Sequence, residues 1–177
     1  MNLPNTLTLT RVLLIPLFVI FIINKNFGWA LITFVIAGIT DGIDGLLARI
    51  THQRTELGAY LDPIADKLLL FSAFITLAIV EIIPSWLVVI VVTRDIIILV
   101  GFLVMVLTSY HPEINPSLLS KMTTAFQIVT IVLVLLSGYY PAFKPLSVIT
   151  IYGTAMMTIL SGFHYIYIGT RILNGKK

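Results

Sequence analysis

The chain contains no cysteine. A disulfide, a thiolate nucleophile and a zinc-thiolate site are therefore excluded, and thiol chemistry says nothing about compartment. Charge is nearly as scarce. Asp, Glu, Lys and Arg together make up 11% of the 177 residues, against about 25% in a soluble domain. Hydrophobic residues fill 58% of the chain and its mean hydropathy is +1.04. Those values exclude an ordinary water-soluble globule and imply an integral membrane protein. At about 20 apolar residues per span, the length holds roughly six helices and no soluble domain, so a single all-α membrane domain over residues 1–177 is expected. A net charge of +3 would suggest nucleic acid in a soluble protein. Here membrane topology and anionic lipid account for it, and no nucleic-acid partner is expected.

What is present is a series of apolar runs, approximately 7–23, 29–50, 61–82, 86–107, 118–136 and 146–168, separated by Gly, Pro, Asn or charged residues. Arg11 precedes the first run as in a signal peptide, but no small-residue cleavage site follows around Asn24, so a retained first helix is expected. With the N-terminus cytoplasmic, Arg11, Arg49, Arg54, Lys67, Lys121, Arg171, Lys176 and Lys177 fall on or toward that side, and Lys25 and Lys144 opposite. That bias predicts a multi-pass protein of the inner membrane with both termini inside. Trp29, Trp86, Tyr139 and Tyr140 fall where the outer interface would be, as aromatic anchors do.

The acids are unevenly placed. Four of the eight stand beside or inside the two apolar runs of one hairpin: Asp41 and Asp44 at the end of the second run, Asp62 and Asp66 at the start of the third. Each charge near the middle of a membrane helix costs roughly 2.5–3.5 kcal/mol, so four unpaired carboxylates would cost about 10–14 kcal/mol and require cations. On a helix, Asp41, Asp44, Gly45 and Ala48 share one stripe, where the missing side chains of Gly45 and Ala48 leave room for a ligand and Arg49 can hold a phosphate. Asp62 and Asp66, at i and i+4, share another. Two antiparallel helices would bring these faces together. Oxygen donors without His or Cys suit two hard cations, Mg²⁺ or Mn²⁺. Asp66, the deepest, is the candidate base for an attacking hydroxyl. Asp62 before Pro63 also reads as a helix N-cap with proline at the first helical position.

Asp41, Asp44, Gly45, Ala48, Arg49, Gly58, Asp62 and Asp66 match, at every fixed position, the pattern D-x2-D-G-x2-A-R-x8-G-x3-D-x3-D. The chain thereby resembles the CDP-alcohol phosphotransferase family, and the similarity extends to Asn2-Leu3-Pro4-Asn5 and Arg11. The resemblance implies a homodimer of six transmembrane helices with a short amphipathic N-terminal segment. It implies two divalent ions on the four aspartates, CDP-diacylglycerol bound through Gly45, Ala48, Arg49 and Gly58, and phosphatidyl transfer to an alcohol with release of CMP.

The acceptor is read from the later helices. Glycerol-3-phosphate-using members typically carry Arg-Glu and a further Arg in the fourth helix, then Gly-Lys-x-Lys-Thr. This chain has Arg94-Asp95 without a second Arg, and Ser120-Lys121-Met122-Thr123-Thr124. Those stretches, on through Gln127, look more like mitochondrial-type cardiolipin synthases, so phosphatidylglycerol is the expected acceptor and glycerol-3-phosphate the alternative. Arg94 and Lys121 are the candidate acceptor-binding residues. Adjacency makes Arg94 and Asp95 a poor pair on one helix, and Lys121 also reads as a cation snorkelling to the surface. Gly38, Gly42 and Gly162 read as sites of close helix approach. An ion-coupled transporter is the remote alternative, since carboxylates in a membrane also mark ion paths. The grouping of the acids at one membrane face and the lack of a visible internal repeat speak against it.

Overall fold

Each apolar run becomes one helix, and polar turns extend most of them. The structure, a computed structural model, describes residues 3–50, 56–107 and 117–173, with side chains described over 10–40, 67–101 and 117–171. The order is α1 (Leu3–Ile23), α2 (Phe27–Ile50), α3 (Glu56–Ile79), α4 (Ser85–Leu107), α5 (Leu118–Tyr139), a 3₁₀ turn (Pro141–Phe143) and α6 (Lys144–Leu173). No strand occurs among the described residues. The segment from Leu3 is continuous with α1 rather than a separate amphipathic element.

Successive helices run antiparallel. The α1–α2 and α3–α4 turns each close on a residue in left-handed conformation, Lys25 (φ 57°) and Glu81 (φ 60°). In each, the following amide reaches back five residues, Asn26 N–H to Phe21 O at 2.8 Å and Ile82 N–H to Leu77 O at 2.9 Å, which satisfies carbonyls the helix end would leave bare. At α5, Ser117 caps the start by accepting the Ser120 amide at 3.2 Å.

Packing pairs α1 with both α2 and α3, α6 with both α5 and α4, and α2 with α5. The arms of the acidic hairpin, α2 and α3, are therefore each laid along α1. They do not form a major packing pair of their own among the described residues, and the acidic faces expected to meet lie outside the described side chains. The core is built around Phe18, Ile22, Phe34, Phe74, Leu77, Leu87 and Ile131.

The outside of the bundle is apolar as well as its core, and hydroxyl-bearing residues are drawn into the helix seams. Thr123, Gln127, Thr130, Thr154, Thr158 and Ser161 are buried, while Ile79, Val89, Leu99, Ile149, Met156 and Phe163 are exposed. The buried hydroxyls stitch α5 to α6: Thr130 Oγ1 lies 2.7 Å from Thr154 Oγ1, and Thr123 Oγ1 donates to Met157 O at 3.1 Å. Small and hydroxyl-bearing residues at helix seams are what packing within lipid favours. α5 and the stretch Pro141–Arg171 are long and apolar enough to cross a membrane.

Of the glycines expected at close approaches, Gly162 lies under the aliphatic stem of Arg94, 3.8 Å from where a Cβ would sit. No described residue of the same chain comes within 4 Å of where a Cβ would sit on Gly38. Gly42 lies outside the described side chains. Among the described glycines the tightest approach is at Gly138, where a Cβ would come within 2.6 Å of the Phe27 ring.

Gln127 is the anomaly of the core. It is fully buried on α5, and neither its amide nitrogen nor its carbonyl oxygen has a hydrogen-bond partner among the described residues. An unsatisfied buried polar group costs about 1–3 kcal/mol. Gln127→Leu is accordingly expected to raise the thermal midpoint of detergent-solubilised protein. A lowered midpoint would mean that the amide is satisfied by a group bound in the folded protein.

Candidate functional site

The backbone places all eight motif residues on two helices: Asp41, Asp44, Gly45, Ala48 and Arg49 on the last turns of α2, and Gly58, Asp62 and Asp66 on the first turns of α3. Their side chains lie outside the described set. One alternative is nevertheless removed. α3 begins at Glu56, so Asp62 and Pro63 are inside the helix, and Asp62 is not its N-cap. Proline within a helix forfeits a backbone hydrogen bond and crowds the preceding turn, so the Asp-Pro pair does not serve helix initiation here.

Contacts elsewhere in the bundle fix the level of these residues. Phe27 sits beside Gly138, and α2 and α5 run antiparallel with the same rise of about 1.5 Å per residue. Asp41 is then level with Thr124, and Asp44 with Lys121, to within a turn. Phe18 and Phe34 face each other at 5.6 Å. Stepping equally from that pair brings Arg11 of α1 level with Asp41. Arg11 is fully buried, which places a cation inside the bundle at the level of the Asp41 backbone, in addition to the topological role read from the sequence.

At the same level the described side chains form a charged cluster joining four helices. Arg94 of α4 is buried, with its stem on Gly162 of α6. Its Nη2 donates to Ser120 Oγ of α5 at 2.6 Å and to Ser161 Oγ of α6 at 3.0 Å, while Nε reaches Ser161 Oγ at 3.3 Å. Its Nη1 donates to Oδ1 of Asp95. The guanidinium carbon also lies 5.9 Å from the centre of the Tyr165 ring. The expectation that Arg94 and Asp95 would make a poor pair is overturned, because the long arginine side chain folds back along its own helix to reach the neighbouring carboxylate. Oδ2 of Asp95 receives Lys67 Nζ of α3 at 2.7 Å. Lys121 is exposed in the first turns of α5, beside Ser120.

Of the two candidate acceptor residues, then, Arg94 is enclosed by partners and Lys121 is free of enclosure. Sequence reasoning did not join Lys67, Asp95, Ser120 and Ser161 to Arg94 in one cluster. Lys67 carried a signal, a charge directly after Asp66, but was absorbed by the topological count of cations.

Between α4 and α6 lies a groove of about 270 Å³ lined by residues that include Val89, Thr93, Arg94, Thr158, Gly162 and Phe163. It is walled mostly by aliphatic and aromatic side chains and has Arg94 at its polar edge. As for a metal, the hairpin's donor set of four carboxylates on two helix faces, with no imidazole or thiol on those helices, fits hard divalent cations. Among the described residues, which do not include the side chains of these four aspartates, no group of three or more metal-ligating side chains forms.

The chain belongs to the CDP-alcohol phosphatidyltransferase family, whose model it matches over residues 1–160. It is 32% identical to the CDP-diacylglycerol--glycerol-3-phosphate 3-phosphatidyltransferase of Bacillus subtilis (strain 168), over 93% of each chain. It is 36% identical to a probable cardiolipin synthase (CMP-forming) of Drosophila melanogaster, over 74% of this chain and 46% of that one. A probable phosphatidylglycerophosphate synthase of Mycobacterium tuberculosis (strain ATCC 25618 / H37Rv) is 34% identical, over 98% of this chain and 84% of the other. The activity class is thus phosphatidyl transfer in anionic phospholipid synthesis, and the relatives divide over the acceptor.

Proposed function

We propose that the chain transfers phosphatidyl from CDP-diacylglycerol to phosphatidylglycerol with release of CMP, forming cardiolipin. In this reading it acts as a homodimer of six-span subunits in the inner membrane, with the site on the cytoplasmic side. The apolar outer surface of the bundle and, among the described residues, two helices long and apolar enough to cross a membrane support the membrane setting. The observation that carries the acceptor is the state of Arg94. Its guanidinium is occupied by Asp95, Ser120 and Ser161, so it is not available to meet the dianionic phosphate of glycerol-3-phosphate. The apolar groove beside it suits an acceptor that arrives from lipid.

Asp41, Asp44, Asp62 and Asp66 would hold two Mg²⁺ or Mn²⁺ ions, which when bound supply the positive charge that offsets the phosphoryl oxygens. Gly45, Ala48 and Gly58 leave space for the CMP portion and Arg49 holds its phosphate. Asp66 takes the proton from the acceptor hydroxyl, and the hydroxyl oxygen attacks the phosphatidyl phosphorus as the bond to CMP breaks. No cysteine exists and no serine lies in the motif, which favours direct attack over a covalent enzyme intermediate.

A second reading, with glycerol-3-phosphate as acceptor, is favoured by the match to the Bacillus subtilis relative along nearly all of both chains. Purified protein given CDP-diacylglycerol with phosphatidylglycerol, glycerol-3-phosphate, inositol phosphate or serine in separate tubes decides between them. Cardiolipin and CMP are expected with phosphatidylglycerol alone and only while Mg²⁺ or Mn²⁺ is present. Phosphatidylglycerophosphate from glycerol-3-phosphate alone would establish the second reading.

A further inference from the structure

We infer that Lys67 is the cation that binds the phosphate of the acceptor, and that Asp95 is a positioning residue that holds Lys67 in place. The inference rests on the phosphatidyl-transfer reading above and deepens it. Three observations on the Lys67–Asp95–Arg94 cluster carry it.

The first is a surplus of charge. One buried carboxylate needs one cation, and Arg94 already donates to Oδ1 of Asp95 from a fully enclosed position. Lys67 on Oδ2, at 2.7 Å, brings a second positive charge to a carboxylate that Arg94 already meets. Pairing for stability alone would not call for it, because ordering a long lysine side chain has an entropic cost.

The second is access. The Lys67 side chain is 43% exposed while that of Asp95 is 5% exposed. An ammonium has three N–H donors, and the carboxylate takes one direction only, so the rest of the head group is open to a ligand. Arg94 has no such opening.

The third is place. Lys67 follows Asp66 directly, and Gly58 lies nine residues nearer the start of α3, about 14 Å away at the helical rise. Ala48 and Arg49 likewise lie beyond Asp44 toward the end of α2. The nucleotide of the donor thus belongs at the α2–α3 connection. Displacement at phosphorus is in line, so the attacking alcohol enters from the side away from the leaving CMP. That is the side of Lys67, and the α4–α6 groove reaches the same level through Arg94.

The test is a full kinetic analysis with donor and acceptor varied independently, using wild type, Lys67→Met, Lys67→Arg, Asp95→Asn and the Lys67→Met/Asp95→Asn double variant. Phosphatidylglycerol and glycerol-3-phosphate serve as separate acceptor arms. Lys67→Met is expected to raise the acceptor KM by roughly 10-fold or more, the range of one lost charge-assisted hydrogen bond, with the KM for CDP-diacylglycerol within about 2-fold. Lys67→Arg should restore most of the acceptor affinity. Asp95→Asn should reproduce the acceptor defect, and the double variant should be no worse than Lys67→Met alone. Equal rises in donor and acceptor KM, additive losses in the double variant, or an unchanged acceptor KM in Lys67→Met would each overturn the assignment. Lys67 is half-exposed, so its variants remain informative even where Asp95→Asn does not fold. Absence of CMP release by wild type with every acceptor would overturn the functional reading itself, whereas turnover by wild type and indifference to Lys67→Met overturns this assignment alone.

Discussion

Asp66→Asn is expected to lower kcat for CMP release by about 10²–10⁴, the usual contribution of a positioned general base. Asparagine keeps the size of the side chain and can still offer an oxygen, but it cannot accept the acceptor's proton at neutral pH. The comparison with Asp44→Asn separates the proposed roles. Both substitutions should weaken metal binding, because both residues are assigned to the metal set. Raising Mn²⁺ to saturation should therefore recover part of the Asp44→Asn loss and leave most of the Asp66→Asn loss in place. Recovery of Asp66→Asn to near wild-type turnover by metal alone would mean that Asp66 is a ligand and that another group takes the proton. Its place on α3 favours the base assignment: it is the motif acid nearest in sequence to Lys67, and so nearest to the side from which the acceptor is proposed to enter.

The sequence was legible where composition and period decide the outcome and illegible where register does. Six apolar runs became six helices, because an apolar backbone segment of this length satisfies its own hydrogen bonds only as a helix. The ends were misjudged where helices continue through polar turns. α3 begins at Glu56 rather than Leu61, and α6 runs from Lys144 to Leu173. Runs of apolar residues cannot show such turns, since a helix at a polar boundary needs no apolar face there. The family was carried by eight residues at fixed spacing, which survive any uncertainty in boundaries. The Lys67–Asp95 pair was not readable. It joins residues 28 apart in sequence, and its existence depends on how the α3–α4 turn, with Glu81 in left-handed conformation, sets the sliding register of the two helices. The Arg94–Asp95 contact was missed for another reason. Angular spacing describes where side chains leave the helix, whereas a four-bond arginine can turn back toward a neighbour.

Arg94→Ala is expected to destabilise the fold by about 3–5 kcal/mol, the cost of removing one partner from a buried ion pair. The loss would be spread over four helices. Asp95 would remain buried with only the half-exposed Lys67 for a partner, and Ser120 and the fully buried Ser161 would each lose the donor they now receive. Thermal unfolding in detergent, followed by the monodisperse fraction on size exclusion, measures the effect directly. Arg94→Lys should fall between wild type and Arg94→Ala, since an ammonium cannot span Asp95, Ser120 and Ser161 with one planar fork. Arg94→Met combined with Asp95→Leu should recover much of the lost stability, because a buried ion pair replaced as a unit by apolar side chains leaves no uncompensated charge. That recovered protein should still be impaired in turnover, since Lys67 no longer has its anchor. Stability and catalysis would then part company at the same two positions, as they must if Arg94 holds the bundle together while Asp95 also serves the site.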